Sequence, residues 1–143
     1  MAEQTLRELL DDAMHKVDTY RSPNLDDFRA AINPVLAALN EGSIGEYDGV
    51  SSITETAKEV IINTEWMVRQ CEQTSRLVIP AYIIDAVDPV KEATRYYLIQ
   101  CVAGAKEIVI RREHQLHTAK AALEQAQSKL DEFLKAEVKA NEN

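Results

Sequence analysis

Two histidines stand three residues apart in the C-terminal part of the chain, His114 and His117, with Glu113 and Glu124 nearby. Imidazole and carboxylate groups at helical spacing are ligands that zinc accepts. A structural zinc site would also use cysteine, and Cys101 lies more than about three helical turns away. The ferritin-like pattern of Glu followed three residues later by His is absent. We expect no metal and no cofactor, and we keep a metal-binding helical bundle using the two histidines as an alternative.

Arg112 and His117 form an Arg-x4-His arrangement within Arg112-Glu113-His114-Gln115-Leu116-His117. This spacing resembles that of HEPN-type ribonucleases, which are all-α dimers of about this size. The resemblance covers these six residues and implies a nuclease or toxin in which Arg112 and His117 are catalytic. In an unbroken helix the two side chains are about 140° apart, which is poor geometry for joint action on a phosphodiester. We expect a protein that is not an enzyme and keep the HEPN-like nuclease as an alternative.

Trp66 is the single tryptophan and a candidate partner-binding residue. On a helix it would lie opposite the apolar face, on the same side as Ile62, Arg69 and Leu77. Aromatic residues are enriched in interface hot spots, and an arginine one turn away can stack on the ring. The sequence also allows a central helix that is buried on two sides, so it leaves open whether Trp66 belongs to the core or to an interface.

The spacing of apolar residues predicts that helices position these groups. A first helix is expected over residues 3–20, and Asn24 is expected to cap a second helix that is kinked or restarted at Asn33-Pro34. Ser52 and Glu55 form a capping box for a third helix, which Pro80 ends or kinks. The residues expected on its core face are Ile53, Ala57, Val60, Ile61, Thr64, Met67, Val68, Cys71 and Ser75. The apolar segment 78–87 is expected to be a short buried helix.

Asp88-Pro89 is a strong start signal for a last helix, with Asp at the cap and Pro at the first helical position. From there to Ala140 the sequence holds no Pro and a single Gly, Gly104. Such a helix would be about 78 Å long, whereas a compact domain of this size has a radius of gyration of about 14–15 Å. We expect the helix to project from the bundle or to fold back near Gly104.

A heptad repeat runs along this last helix. Eleven of thirteen a and d positions between Leu98 and Ala140 are apolar, and the two polar ones are Arg112 at d and Glu137 at a. Beyond Arg111 the apolar stripe narrows, which favours a contact between two helices. The residues expected to mediate oligomerisation are Val109, Leu116, Ala119, Leu123, Ala126, Leu130 and Phe133. The sequence leaves open whether this stripe pairs with itself or with another protein.

Charge and composition restrict the partners. Residues 1–88 carry 16 acidic and 7 basic side chains, whereas residues 89–143 carry 8 and 9. Nucleic acid is not expected as a partner, because its binding requires Lys and Arg to neutralise phosphates. We expect no membrane contact, since the longest uncharged stretch, residues 30–40, is far shorter than a membrane helix. Two cysteines and no apolar leader favour a cytoplasmic protein with free thiols, in its own cell or a host.

Together these patterns predict an all-α protein. Residues 1–110 would form an antiparallel helical bundle, and residues 111–143 would be the projecting coiled-coil half of the last helix, with a frayed end. The expected function is non-enzymatic protein–protein interaction by a homo-oligomer: an adaptor, chaperone or assembly factor of the kind common in phage, viral and secretion systems.

Overall fold

In the computed structural model, which describes residues 3–142, two helices are followed by a three-stranded sheet and then by two further helices. The elements are α1 (Leu6–Thr19), α2 (Asp26–Ala38), β1 (Gly49–Glu55), β2 (Glu59–Val68), β3 (Cys71–Pro80), α3 (Ala81–Ile84) and α4 (Pro89–Glu142). The prediction of an all-α bundle is therefore wrong, because an antiparallel sheet in the order β1-β2-β3 occupies the place of the third predicted helix.

The first two helices form where the apolar spacing predicts them. Thr5 caps α1 by accepting a hydrogen bond from the Glu8 backbone N–H at 3.2 Å. The Asn24 side chain accepts one from the Asp26 N–H at 3.0 Å, just before α2. Pro34 lies inside α2, which is not divided at Asn33. The Asn33 side chain instead bonds both the N–H and the carbonyl of Ile44, at 2.8 and 3.0 Å, and so ties the following loop to α2.

The sheet is an antiparallel meander whose inner face belongs to the core. Val60, Ile62 and Thr64 alternate along β2 and are buried, and Ile62 lies directly opposite Leu77 of β3. Ile61 points the other way and is half-buried opposite Val78. A period of two, with one face in the core, is what a half-buried strand requires. The helical face predicted for Ile53 to Ser75 is consequently not formed.

Local chemistry explains why this region turns back twice. The Thr56 hydroxyl accepts hydrogen bonds from the N–H groups of Lys58 and Glu59, which closes the turn between β1 and β2. Arg69 and Gln70 close the turn between β2 and β3, with φ of 50° and 66°. Ser52, predicted as a helix cap, lies in β1, where its hydroxyl accepts a hydrogen bond from the Asn63 side chain at 2.8 Å.

The core lies between the inner face of the sheet and the helices. Leu10, Ile32, Leu36, Ile62 and Ile79 are fully buried in one hydrophobic cluster. The apolar segment that was predicted as a short helix divides between the end of β3 and α3, whose Ile83 and Ile84 are buried in the same cluster. Near the start of α4, Ala93 is fully buried there too.

The chain divides into two compact units at Ile99 and Gln100. The first contains the sheet, α1 to α3 and the first residues of α4. The second consists of the rest of α4, which is helical without interruption from Pro89 to Glu142. Asp88 accepts a hydrogen bond from the Lys91 N–H at 3.2 Å at its start, and Gly104 does not break it. Within residues 3–142, no helix combines the length and apolarity that a membrane span needs.

Candidate functional site

The α4 seam, which we define as the a and d positions from Val109 to Ala140, is the candidate functional surface. Its large side chains are all more than half exposed: Leu116 at 56%, Leu123 at 57%, Leu130 at 55% and Phe133 at 65%. Every described residue from Gln100 onward is exposed in the single chain. Leucines at heptad spacing on one helix face are side chains that a facing helix can bury.

The composition of the seam sets how closely a second helix can approach. Leucine or valine occupies its a positions up to Leu130, and alanine occupies d at Ala119, Ala126 and Ala140. Large side chains on one helix can fill the space left by alanines on another. The helix carries this pattern over residues 109–140, a length of about 47 Å.

Arg112 and Glu137 interrupt the seam with opposite charges. Neither side chain takes part in an ion pair among the described residues. Their neighbours three and four residues away on α4 carry no charge, so the helix itself offers neither one a partner at the usual spacing. Two charges in an apolar stripe are costly to bury unless a partner neutralises them.

The residues predicted for metal binding or catalysis do not converge within the chain. His114 and His117 are exposed on the uninterrupted part of α4. No group of three or more His, Cys, Asp or Glu side chains that could hold a metal ion occurs in the described part of the chain. Arg112 and His117 lie on the same unbroken helix, so about 140° separates them around its axis.

The four predicted partner-binding residues differ in their exposure: two are buried, one is half-buried and one is exposed. Ile62 and Leu77 are 0% and 3% exposed and form a cross-strand pair in the core, so they present no surface to a partner. Trp66 is half-buried and follows Val60, Ile62 and Thr64 in the alternation of β2. Arg69 is exposed in the turn that follows. The partner-binding patch that the sequence predicts on one face of a helix therefore does not form a continuous surface.

A groove of about 410 Å³ was not anticipated from the sequence. It lies between the segment that joins α1 to α2 and the loop before β1, and Arg29, Tyr47, Asp48 and Glu65 are among its lining residues. Two of its charged side chains have local partners: Arg29 pairs with Asp26 at 2.8 Å, and Asp48 accepts a hydrogen bond from the Gly45 N–H at 2.6 Å. Gly45 in this loop and Gly49 at the start of β1 are the sequence signal that could have indicated it.

A cluster of charges joins distant parts of the first unit. The Arg7 guanidinium of α1 contacts Glu55 at 2.7 Å, Asp85 at 2.8 Å and Asp11 at 3.2 Å. These hydrogen bonds, first with Asp85 and then with Glu55, raise the pKa of Arg7. The Arg7 hydrogen bonds likewise lower the pKa of Asp85. The cluster links α1, the end of β1 and the residue after α3. Its role is therefore structural.

No protein family model, curated protein or solved structure matches this chain.

Proposed function

We propose that this chain is a non-enzymatic protein–protein interaction module that self-associates through the α4 seam and acts as an oligomeric adaptor, chaperone or assembly factor. The observation that carries the proposal is the exposure of the seam leucines, between 55% and 57% in the single chain. A contiguous stripe of large apolar side chains on a surface is typical of a protein interaction site.

The exposure of the whole second unit supports the same proposal. Most of the stability of helices in proteins comes from packing an amphipathic face against another element. Residues 100–142 are exposed throughout, so their apolar side chains are available to a partner helix. Burying one leucine side chain contributes about 1.5–3 kcal/mol, and a partner helix along the seam would bury several.

Replacing Leu123 by aspartate tests the proposal. The charge would enter an apolar contact and should dissociate the oligomer, because an unpaired buried charge is strongly unfavourable. The matched control is Ala121→Asp, which adds the same side chain at heptad position f, away from the seam. Light scattering after size exclusion should give an oligomer for the native chain and for Ala121→Asp, and a monomer for Leu123→Asp. An unchanged mass for Leu123→Asp would overturn the proposal.

A further inference from the structure

The two charged residues of the α4 seam specify which helix can cover it. We propose that the occupant is α4 of a second copy of this chain, running antiparallel, with Arg112 of each copy paired to Glu137 of the other. This inference rests on the proposed function, since it names the partner and its orientation at the same surface. The seam residues all lie on one continuous helix, which fixes their positions relative to one another.

In an antiparallel pair of helices, each layer of the contact joins an a residue of one helix to a d residue of the other. Arg112 is at d and Glu137 is at a, so the two can share a layer. Placing them together sets the two-fold axis midway between Glu124 and Gln125. The symmetry then forms the Arg112–Glu137 pair twice, once on each side of the axis.

This single alignment fixes every other layer, and all of them are apolar. In two of the four distinct layers a leucine faces an alanine, so a large side chain meets a small one. The layers are Leu123 with Ala126, Leu130 with Ala119, Leu116 with Phe133, and Val109 with Ala140. Beside the seam, Lys120 and Lys129 face neutral side chains of the other copy, so no like charges are brought together.

The alternative arrangements leave a charged residue without a partner or set two like charges against each other. Sliding the antiparallel pair by one heptad sets Arg112 opposite Leu130 in one direction, and Glu137 opposite Ala119 in the other. A parallel pair in register sets Arg112 against Arg112 and Glu137 against Glu137. A buried charge without a partner is strongly destabilising, whereas a buried polar pair is a well-attested means of fixing register.

Charge reversal tests the pairing. In full-length protein, Arg112→Glu or Glu137→Arg alone should raise the dissociation constant by at least about 100-fold, because each sets two like-charge pairs in the contact. The double variant restores opposite charges and should return to within about 10-fold of the native value. Arg111→Glu, at position c outside the seam, is the matched control and should leave association unchanged. Single variants that associate like the native protein would overturn the antiparallel pairing.

The distance between the two Cys101 residues provides an independent readout. A nitroxide label on Cys101, in a Cys71→Ser background, should give a distance of about 70 Å by pulsed electron paramagnetic resonance. A slide of one heptad would change it by about 10 Å, and a parallel dimer would give less than about 20 Å. Either of those distances would overturn the proposed register while leaving self-association intact. A native chain that remains monomeric would instead overturn the proposed function, and this inference with it.

Discussion

The guanidinium of Arg7 holds both oxygens of the Asp85 carboxylate, with Nε donating to Oδ1 at 2.8 Å and Nη2 donating to Oδ2 at 3.0 Å. The same guanidinium donates to Glu55, so one side chain of α1 fastens the end of β1 and the segment after α3. Bidentate pairs of this kind are among the stronger hydrogen bonds of proteins.

Replacing Arg7 by methionine should lower the free energy of unfolding by about 1–2 kcal/mol, a value that allows for the partial exposure of the pair. The loss is expected because Glu55 and Asp85 would both lose their counter-charge. Urea titration measures it. Lys16→Met, which removes an exposed pair with Asp12, is the control and should cost less than about 0.5 kcal/mol. Equal effects of the two variants would contradict the role of the cluster.

Acid should remove the contribution of the Arg7–Asp85 pair to the free energy of unfolding. The hydrogen bonds from Arg7 hold the pKa of Asp85 below its usual value in the folded protein. The stabilisation is therefore complete above the pKa of an unfolded aspartate, about 4, and is lost as the pH falls through the lower folded pKa. The stability difference between the native protein and Arg7→Met should shrink between about pH 5 and about pH 2. Urea midpoints across that range measure it, and a constant difference would count against the assignment.

Truncating neighbouring isoleucines distinguishes the strand from the helix that the sequence predicted. Ile62 is 0% exposed on the inner face of β2, so Ile62→Ala should cost about 2–4 kcal/mol. Ile61 is half-buried on the outer face, and Ile61→Ala should cost about 1 kcal/mol or less. A helix would put Ile61 in the core and Ile62 outside. The opposite order of the two losses in thermal or urea unfolding would therefore contradict the sheet.

Glycine at the second turn residue should stabilise the β2–β3 hairpin. Gln70 has a φ of 66°, a left-handed conformation that costs about 1–2 kcal/mol for a residue with a side chain. Gln70→Gly should recover about 1 kcal/mol of that cost. Gln73→Gly, in the extended part of β3, is the control and should instead destabilise by about 0.5–1 kcal/mol. A loss of stability in Gln70→Gly would show that the turn has another conformation.

The helical part of the fold could be predicted because its signals are local. Leu10 and Ala13 of α1, and the Asp88-Pro89 start of α4, lie where apolar spacing and capping chemistry indicate helices. The sheet was missed because neither of its turns contains Gly or Pro. The run Val60-Ile61-Ile62 also hid the alternation, since Ile61 is half-buried on the outer face. The high density of Val, Ile and Thr between Val50 and Thr64 was the available signal for strands.

The candidate site was only partly accessible to sequence reasoning. The seam from Val109 to Phe133 follows from the heptad pattern alone, and the observed helix carries it. The partner-binding set containing Ile62 and Leu77 depended on a helix that does not form, so its geometry could not be right. Side chains from β2 and β3 meet only after the chain reverses, and no local periodicity encodes that pairing.

The mass of the native chain in solution tests the central claim most directly. Sedimentation equilibrium of the full-length protein, over a range of micromolar concentrations, should give a multiple of the 16.1 kDa chain mass, and twice that mass if the antiparallel pair is the assembly. A mass of one chain across the whole range would contradict self-association through α4.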